Sequence, residues 1–212
     1  MTAAPSPNHG PRRGGLQPSL IVIHYTGMAT CAEARARLCD PVAEVSAHWL
    51  ISEGGDAEAL VPEALRAWHA GAGEWLGQGD VNSRSIGVEL ANPGDRPFPE
   101  AQMAALEGLL QGIMTRWDIA ARGVIAHSDM APSRKGDPGR RFDWRRLALQ
   151  GLAVWPEPGT AGDFWADLRA FGYPDGPQAD LLAAFRQRFR PWGFGPLGVA
   201  DCRVAAGLRA LA

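Results

Sequence analysis

Leu20-Ile21-Val22-Ile23-His24 is four apolar residues in a row, three of them β-branched, closed by an imidazole. A short, unbroken β-branched run predicts a buried central strand of a helix-covered sheet. His24 then stands at the carboxyl end of that strand. Just downstream, Thr30 and Glu33 have capping-box spacing and predict a helix over 32–38 that covers it. Residues 48–52 and 57–61 flank Gly54-Gly55-Asp56 and predict paired strands joined by a glycine turn. SIGVEL at 85–90 reads as another strand, stopped by Asn92-Pro93-Gly94, and 123–126 as one more, ending at His127. Between these two, Pro99 suits a first helical turn, and Met103, Leu106, Leu110, Ile113 and Trp117 recur at three- and four-residue steps on one apolar face. A further short helix is expected at 144–149. Strands alternating with helices predict an α/β fold, a mixed central β-sheet covered by helices.

The ends of the chain read differently. MTAAPSPNHGPRRGGLQPS at 1–19 is rich in Pro, Gly and Ser and predicts a flexible N-terminal arm in which His9 has no role. It lacks the apolar run of a signal-peptide core, which predicts a cytoplasmic protein. The sheet domain is expected over 20–153. Composition shifts at Trp155-Pro156-Glu157-Pro158-Gly159, predicting a linker over 154–162. Helical stretches at 163–171, 177–190 and 200–211 then predict a small all-α module over 163–212, with Leu181, Phe185 and Phe189 supplying its own core. A length of 212 residues with 46% hydrophobic residues supports a sizeable core. A net charge of -2 offers no field for a phosphate backbone, which argues against a nucleic-acid partner. Every apolar run is broken before the roughly 18 residues of a membrane span, so no membrane insertion is expected. Cys31, Cys39 and Cys202 have no CxxC spacing and read as small buried hydrophobes. Nothing in the composition bears on oligomeric state.

The chemistry concentrates at strand ends. His24 follows LIVI, His127 follows VIA, and Asp137 lies in the loop after the second. Three such groups can close on one metal ion, because a catalytic zinc takes three His or Asp/Glu ligands and keeps a fourth position open. A strand-end histidine can equally satisfy both ring nitrogens with backbone groups, so spacing alone leaves both readings open. Lys135 lies two positions before Asp137, so in an extended loop it brings an ammonium to the same side, where it suits an oxyanion. Glu89 on a central strand is costly unless paired, solvated in a cleft or near a cation.

Five stretches carry a family resemblance: IVIHYTG at 21–27, VSAHWLISEGG at 45–55, AWHAGAGEW at 67–75, NSRSIGVELANPG at 82–94 and IAHSDMAPSRKGDPGRRFDW at 125–144. The chain resembles the zinc N-acetylmuramoyl-L-alanine amidases of the type-2 amidase family, which includes the peptidoglycan recognition proteins. The resemblance spans nearly all of 20–150 and implies a muropeptide or peptidoglycan substrate. It also implies one Zn2+ per chain held by His24, His127 and Asp137, Glu89 as general base, and Lys135 stabilising the oxyanion. Other members carry a tyrosine before the position of His48 and some a cysteine at that of Asp137. Here Ala47 and Asp137 leave Glu89 as the evident base. The segment 163–212 resembles, less specifically, a helical peptidoglycan-binding module.

Further residues are expected around the substrate: Tyr25 at the floor of the site, Trp68 and His69 in the irregular loop, and Asn82 and Arg84 ahead of the Glu89 strand. Trp75 is read either as a stacking platform or as packing, and His48 as a core or supporting histidine. A non-catalytic muropeptide recognition module shares this fold, and the complete set of five chemical groups favours the hydrolase over it.

Overall fold

Period-two alternation along parallel strands organises the computed structural model of the protein, which describes residues 5–211. The first half contains β1 (His9–Gly10), β2 (Leu20–Tyr25), α1 (Cys31–Cys39), β3 (Trp49–Ile51), β4 (Ala57–Ala59), β5 (Arg66–Ala67), α2 (Val81–Arg84) and β6 (Ser85–Leu90). There follow α3 (Glu100–Trp117), β7 (Val124–Ala126), α4 (His127–Met130), α5 (Trp144–Leu149), α6 (Phe164–Phe171), α7 (Gln178–Phe189) and α8 (Val199–Arg209). Five strands form one sheet in the order β4-β3-β6-β2-β7, with β1 and β5 a separate antiparallel pair. Pairs β3/β6, β6/β2 and β2/β7 are parallel and β3/β4 is antiparallel, so the sheet is mixed.

Successive side chains on a strand point to opposite faces. On β2, Ile21 and Ile23 pack with Ile86, Val88 and Leu90 of β6 against Met103, Leu106, Leu110 and Ile113 of α3. Leu20 and Val22 face the other way and join Ile125. The same alternation sends His24, Glu89 and, one step past β7, His127 to that second face. The helix expected at 32–38 forms as α1, and both halves of its capping box are made by Thr30 and Glu33. Pro99 is the residue before α3 rather than a member of its first turn, its missing N–H costing the helix nothing there.

The second face corrects the expectation for the tail. Its three helices form as anticipated, but Leu181, Phe185 and Phe189 do not make a core of their own. They join Leu20, Val22, Ile125 and Trp75 in one continuous cluster. Arg188 of α7 is buried, pairs with Asp129 of α4, and donates to the Val124 carbonyl at 3.0 Å. Tyr173 donates to the other Asp129 oxygen at 2.6 Å. The segment between sheet and tail packs too: Val154 and Trp155 lie against this cluster, and the Gly159 N–H reaches the Arg203 carbonyl at 2.8 Å.

The N-terminal arm is likewise not loose over its described part; Met1 to Ala4 lie outside the described residues. Ser6 and Asn8 are buried, the Asn8 amide donates to the Asp40 and Val45 carbonyls, and β1 pairs with β5, which gives His9 a structural place. Arg12 donates to the carbonyls of Ser83, Ser85 and Glu63, tying the arm across the start of β6. A Pro- and Gly-rich composition hid these contacts because they run through backbone groups and one guanidinium, not through an apolar pattern. The three cysteines are half-buried and unbonded, at the edges of the clusters rather than inside them.

Candidate active site

His24 sits directly opposite Glu89 in the β2/β6 register, and neighbouring strands bring such pairs within about 5 Å. His127 begins α4 where β7 ends. The loop after α4 turns back so that the Ser128 N–H donates to the Asp137 carbonyl at 3.0 Å, which places the Asp137 carboxylate over His127. Two strand ends and one returning loop therefore deliver three donor groups to one point.

At that point His24 Nδ1 and His127 Nδ1 are 2.9 Å apart, and Asp137 Oδ2 lies 2.9 Å from the first and 3.0 Å from the second. The far nitrogens fix the tautomers. His127 Nε2 lies 2.9 Å from the Ala70 carbonyl, which can only accept, and 3.3 Å from Arg134 Nη2; the shorter contact assigns the proton to Nε2 and leaves Nδ1 a bare lone pair. His24 Nε2 lies 3.0 Å from His69 Nδ1, while His69 Nε2 reaches Ser85 Oγ at 3.2 Å and Ser85 Oγ donates to the Val81 carbonyl at 2.5 Å. Each proton then has one place: on His24 Nε2, on His69 Nε2 and on Ser85 Oγ. Consequently the three atoms that converge are all electron-pair donors, buried together. Such a triangle is repulsive unless a cation sits among them, and zinc, about 2 Å from each nitrogen or oxygen ligand, needs donors at about this spacing. The residues fit a metal ion, and these three are a group whose donor atoms can share one.

The triangle opens into a cleft of about 440 Å³, in the range of small-molecule sites. Glu89, Lys135, Tyr25, Trp68 and His69 line it, with Arg37 and Arg134 on its walls. Glu89 Oε2 is shut off from solvent with no hydrogen-bond partner among the described residues. Burial pushes the Glu89 carboxyl up to about 8, the nearby Asp137 charge adds to this, and Lys135 opposes it. Burial, with a smaller contribution from His127, lowers His24 to about 4, so its imidazole is neutral and able to ligate near neutrality.

The sequence-predicted residues separate into two groups. Tyr25 lies at the cleft and its ring packs over Gly94, where a Cβ would approach it to 2.8 Å. Trp68 and Lys135 are also in the cleft, and Lys135 is exposed on its rim. His69 is in the cleft, yet its two ring nitrogens are both engaged by protein groups. Asn82 and Arg84 correct the expectation of substrate contact, because both are buried away from the cleft. Asn82 Oδ1 accepts from the His69 and Ala70 N–H groups at 3.0 and 2.8 Å, and Arg84 donates to the Trp75 carbonyl at 3.0 Å. Trp75 is a core residue against Phe171 and Tyr173. His48 is buried beside β6, its Nδ1 accepting from the Gly87 N–H and its Nε2 donating to the Leu65 carbonyl. Sequence reasoning missed Arg134, which donates to the Ala70 and Ala72 carbonyls and so braces the loop that holds His127. No local pattern marks it, since its partners are backbone carbonyls more than sixty residues away.

Residues 14–140 match the family model described as N-acetylmuramoyl-L-alanine amidase. The chain belongs to this amidase family. The N-acetylmuramoyl-L-alanine amidase AmiD of Escherichia coli is 34% identical over 229 residues, covering 91% of this chain and 81% of that relative. The 1,6-anhydro-N-acetylmuramyl-L-alanine amidase AmpD of Enterobacter cloacae is 33% identical over 160 residues, covering 68% of this chain and 86% of the relative. Among solved structures, AmiD from E. coli in complex with anhydro-N-acetylmuramic acid-L-Ala-D-gamma-Glu-L-Lys superposes with a TM-score of 0.84 at 32% identity, covering 92% of this chain and 90% of that one. With 92% of this chain covered, that likeness extends into the tail helices, beyond the 14–140 of the family model.

Proposed function

We propose that this amidase hydrolyses the bond between the lactyl group of N-acetylmuramic or 1,6-anhydro-N-acetylmuramic acid and the L-alanine of the stem peptide, with one Zn2+ held by His24, His127 and Asp137. The observation that carries the reading is the triangle of three buried lone-pair donors, none able to donate to another, beside a Glu89 oxygen that has no hydrogen-bond partner among the described residues. The ion, when bound, supplies a lowered pKa for water and polarisation of the scissile carbonyl. Glu89 takes the proton of the attacking water and returns it to the leaving amine of L-alanine. Burial raises the Glu89 carboxyl in the metal-free site, and the positive charge of a bound ion would offset this and favour the carboxylate that accepts the proton. The Lys135 ammonium, on the rim, balances negative charge on the carbonyl oxygen. Arg37 and Arg134 give the cleft walls a positive character that suits a peptide bearing free carboxylates.

Incubating the zinc-loaded protein with anhydro-N-acetylmuramyl peptides and following the products by mass spectrometry tests this. Release of free peptide with an N-terminal L-alanine is expected. Binding without release would assign the chain to muropeptide recognition instead. Running intact sacculi beside the soluble fragments tells a preference for wall polymer from one for recycled fragments.

A further inference from the structure

We propose that His69 is a positioning residue for the metal ligand His24: through the relay His24 Nε2 to His69 Nδ1, and His69 Nε2 to Ser85 Oγ, it holds the His24 proton on the outer nitrogen and keeps Nδ1 free for the ion. The proposal rests on the zinc reading above.

The relay has a defined direction because its far end is fixed. Ser85 Oγ donates to the Val81 carbonyl, which can only accept, so the serine oxygen is left to accept from His69 Nε2. His69 Nδ1 is then an acceptor, and His24 must donate to it from Nε2. Reversing any one tautomer would set two N–H groups against each other or put a proton on His24 Nδ1, where a ligand must have none. Position is controlled as tightly as protonation. The His69 ring lies over β6 so closely that a Cβ on Gly87 would come within 2.4 Å of its Cγ. Its backbone N–H is held by Asn82 Oδ1 at 3.0 Å. The rings of His24 and His69 meet edge to face with centroids 5.1 Å apart. Glycine at 87 and serine at 85, both on the His24 face of β6, therefore make the seat for the ring. This assigns to His69 a purpose other than gripping substrate, although it borders the cleft.

Zinc affinity, read by competition with a chromophoric chelator at neutral pH, tests the proposal on the full chain. Outer partners of ligating histidines contribute about 10- to 100-fold in metal affinity, so His69→Ala should bind zinc weaker by that factor. His69→Asn places an amide oxygen where Nδ1 was and should restore most of the affinity. Gly87→Ala, which evicts the ring and leaves every ligand in place, should resemble His69→Ala. The metal-free melting temperature of His69→Asn should stay near that of the parent, and the KM of its zinc-saturated form should be unchanged. If His69→Ala binds zinc as tightly as the parent, or if His69→Asn is as weak as His69→Ala, the positioning role is wrong. Failure of the parent itself to bind zinc overturns instead the metal reading on which this one stands. Should His69→Ala not fold, the comparison of Gly87→Ala with His69→Asn decides by the same criterion.

Discussion

His24 Nδ1 and His127 Nδ1 lie 2.9 Å apart, and neither carries a proton for the other, since both rings spend theirs on outward partners. An arrangement of this kind has a purpose only if something positive comes between the two nitrogens. The chemistry assigned to the neighbouring groups follows from that centre.

Glu89 touches none of the three donors by hydrogen bond, so its role and the metal's are separable. Glu89→Gln should retain zinc and lose about 10²- to 10⁴-fold in kcat, the usual contribution of a general acid-base group. Metal analysis and steady-state kinetics on the same sample check this. Loss of zinc from the variant would mean that the carboxylate is a ligand and not the base.

Lys135 stands on the rim with its side chain free of salt bridges among the described residues. Lys135→Ala should lower kcat about 10²-fold, at the lower end of what losing one oxyanion partner costs, while stability and zinc content stay as in the parent. An unchanged kcat would remove Lys135 from the reaction.

The Arg188–Asp129 pair ties the tail to the helix that begins with His127. Breaking a buried pair by removing one partner leaves an uncompensated charge and costs about 3–5 kcal/mol. Arg188→Met should destabilise the protein by that order in urea unfolding, and Asp129→Asn in the same chain should recover part of the loss. A neutral Arg188→Met would show that the tail is a separate unit after all.

His48 is neutral in the folded protein, lowered to about 3 chiefly by burial, against the opposing Leu65 carbonyl and with the Arg12 charge adding to the fall. The folded value lies below the unfolded value of about 6.5, so between them the unfolded chain binds a proton that the native state does not. Stability must therefore rise with pH across that window and be lost on acidification. His48→Gln should make the slope of unfolding free energy against pH shallower there by up to one proton, about 1.4 kcal/mol per pH unit, in the metal-free protein. An identical slope would show that His48 does not contribute to acid unfolding.

Much of this organisation was legible in the chain. The LIVI run, SIGVEL and the α3 stripe were readable because their apolar periods report burial directly, and His24, His127 and Glu89 follow from the same alternation. Asp137 and Lys135 lie on a loop whose return over His127 no period encodes; their spacing suggested a shared site, and the resemblance implied their roles. What stayed hidden were polar contacts distant in sequence. Arg12, Arg84 and Arg134 serve carbonyl groups, and Asn82 serves two N–H groups, so a charge or an amide that looked like a substrate contact proved to be internal scaffolding. His69 lies between these cases: its place at the cleft was anticipated, and its bond to His24 was not.

Zinc stoichiometry by equilibrium dialysis, comparing the parent with His127→Ala and Asp137→Ala, asks whether the three converging donors hold one ion. One tightly held Zn2+ per parent chain is expected, and its loss in both variants. A parent chain that holds no zinc, or a variant that holds it as firmly as the parent, would contradict it.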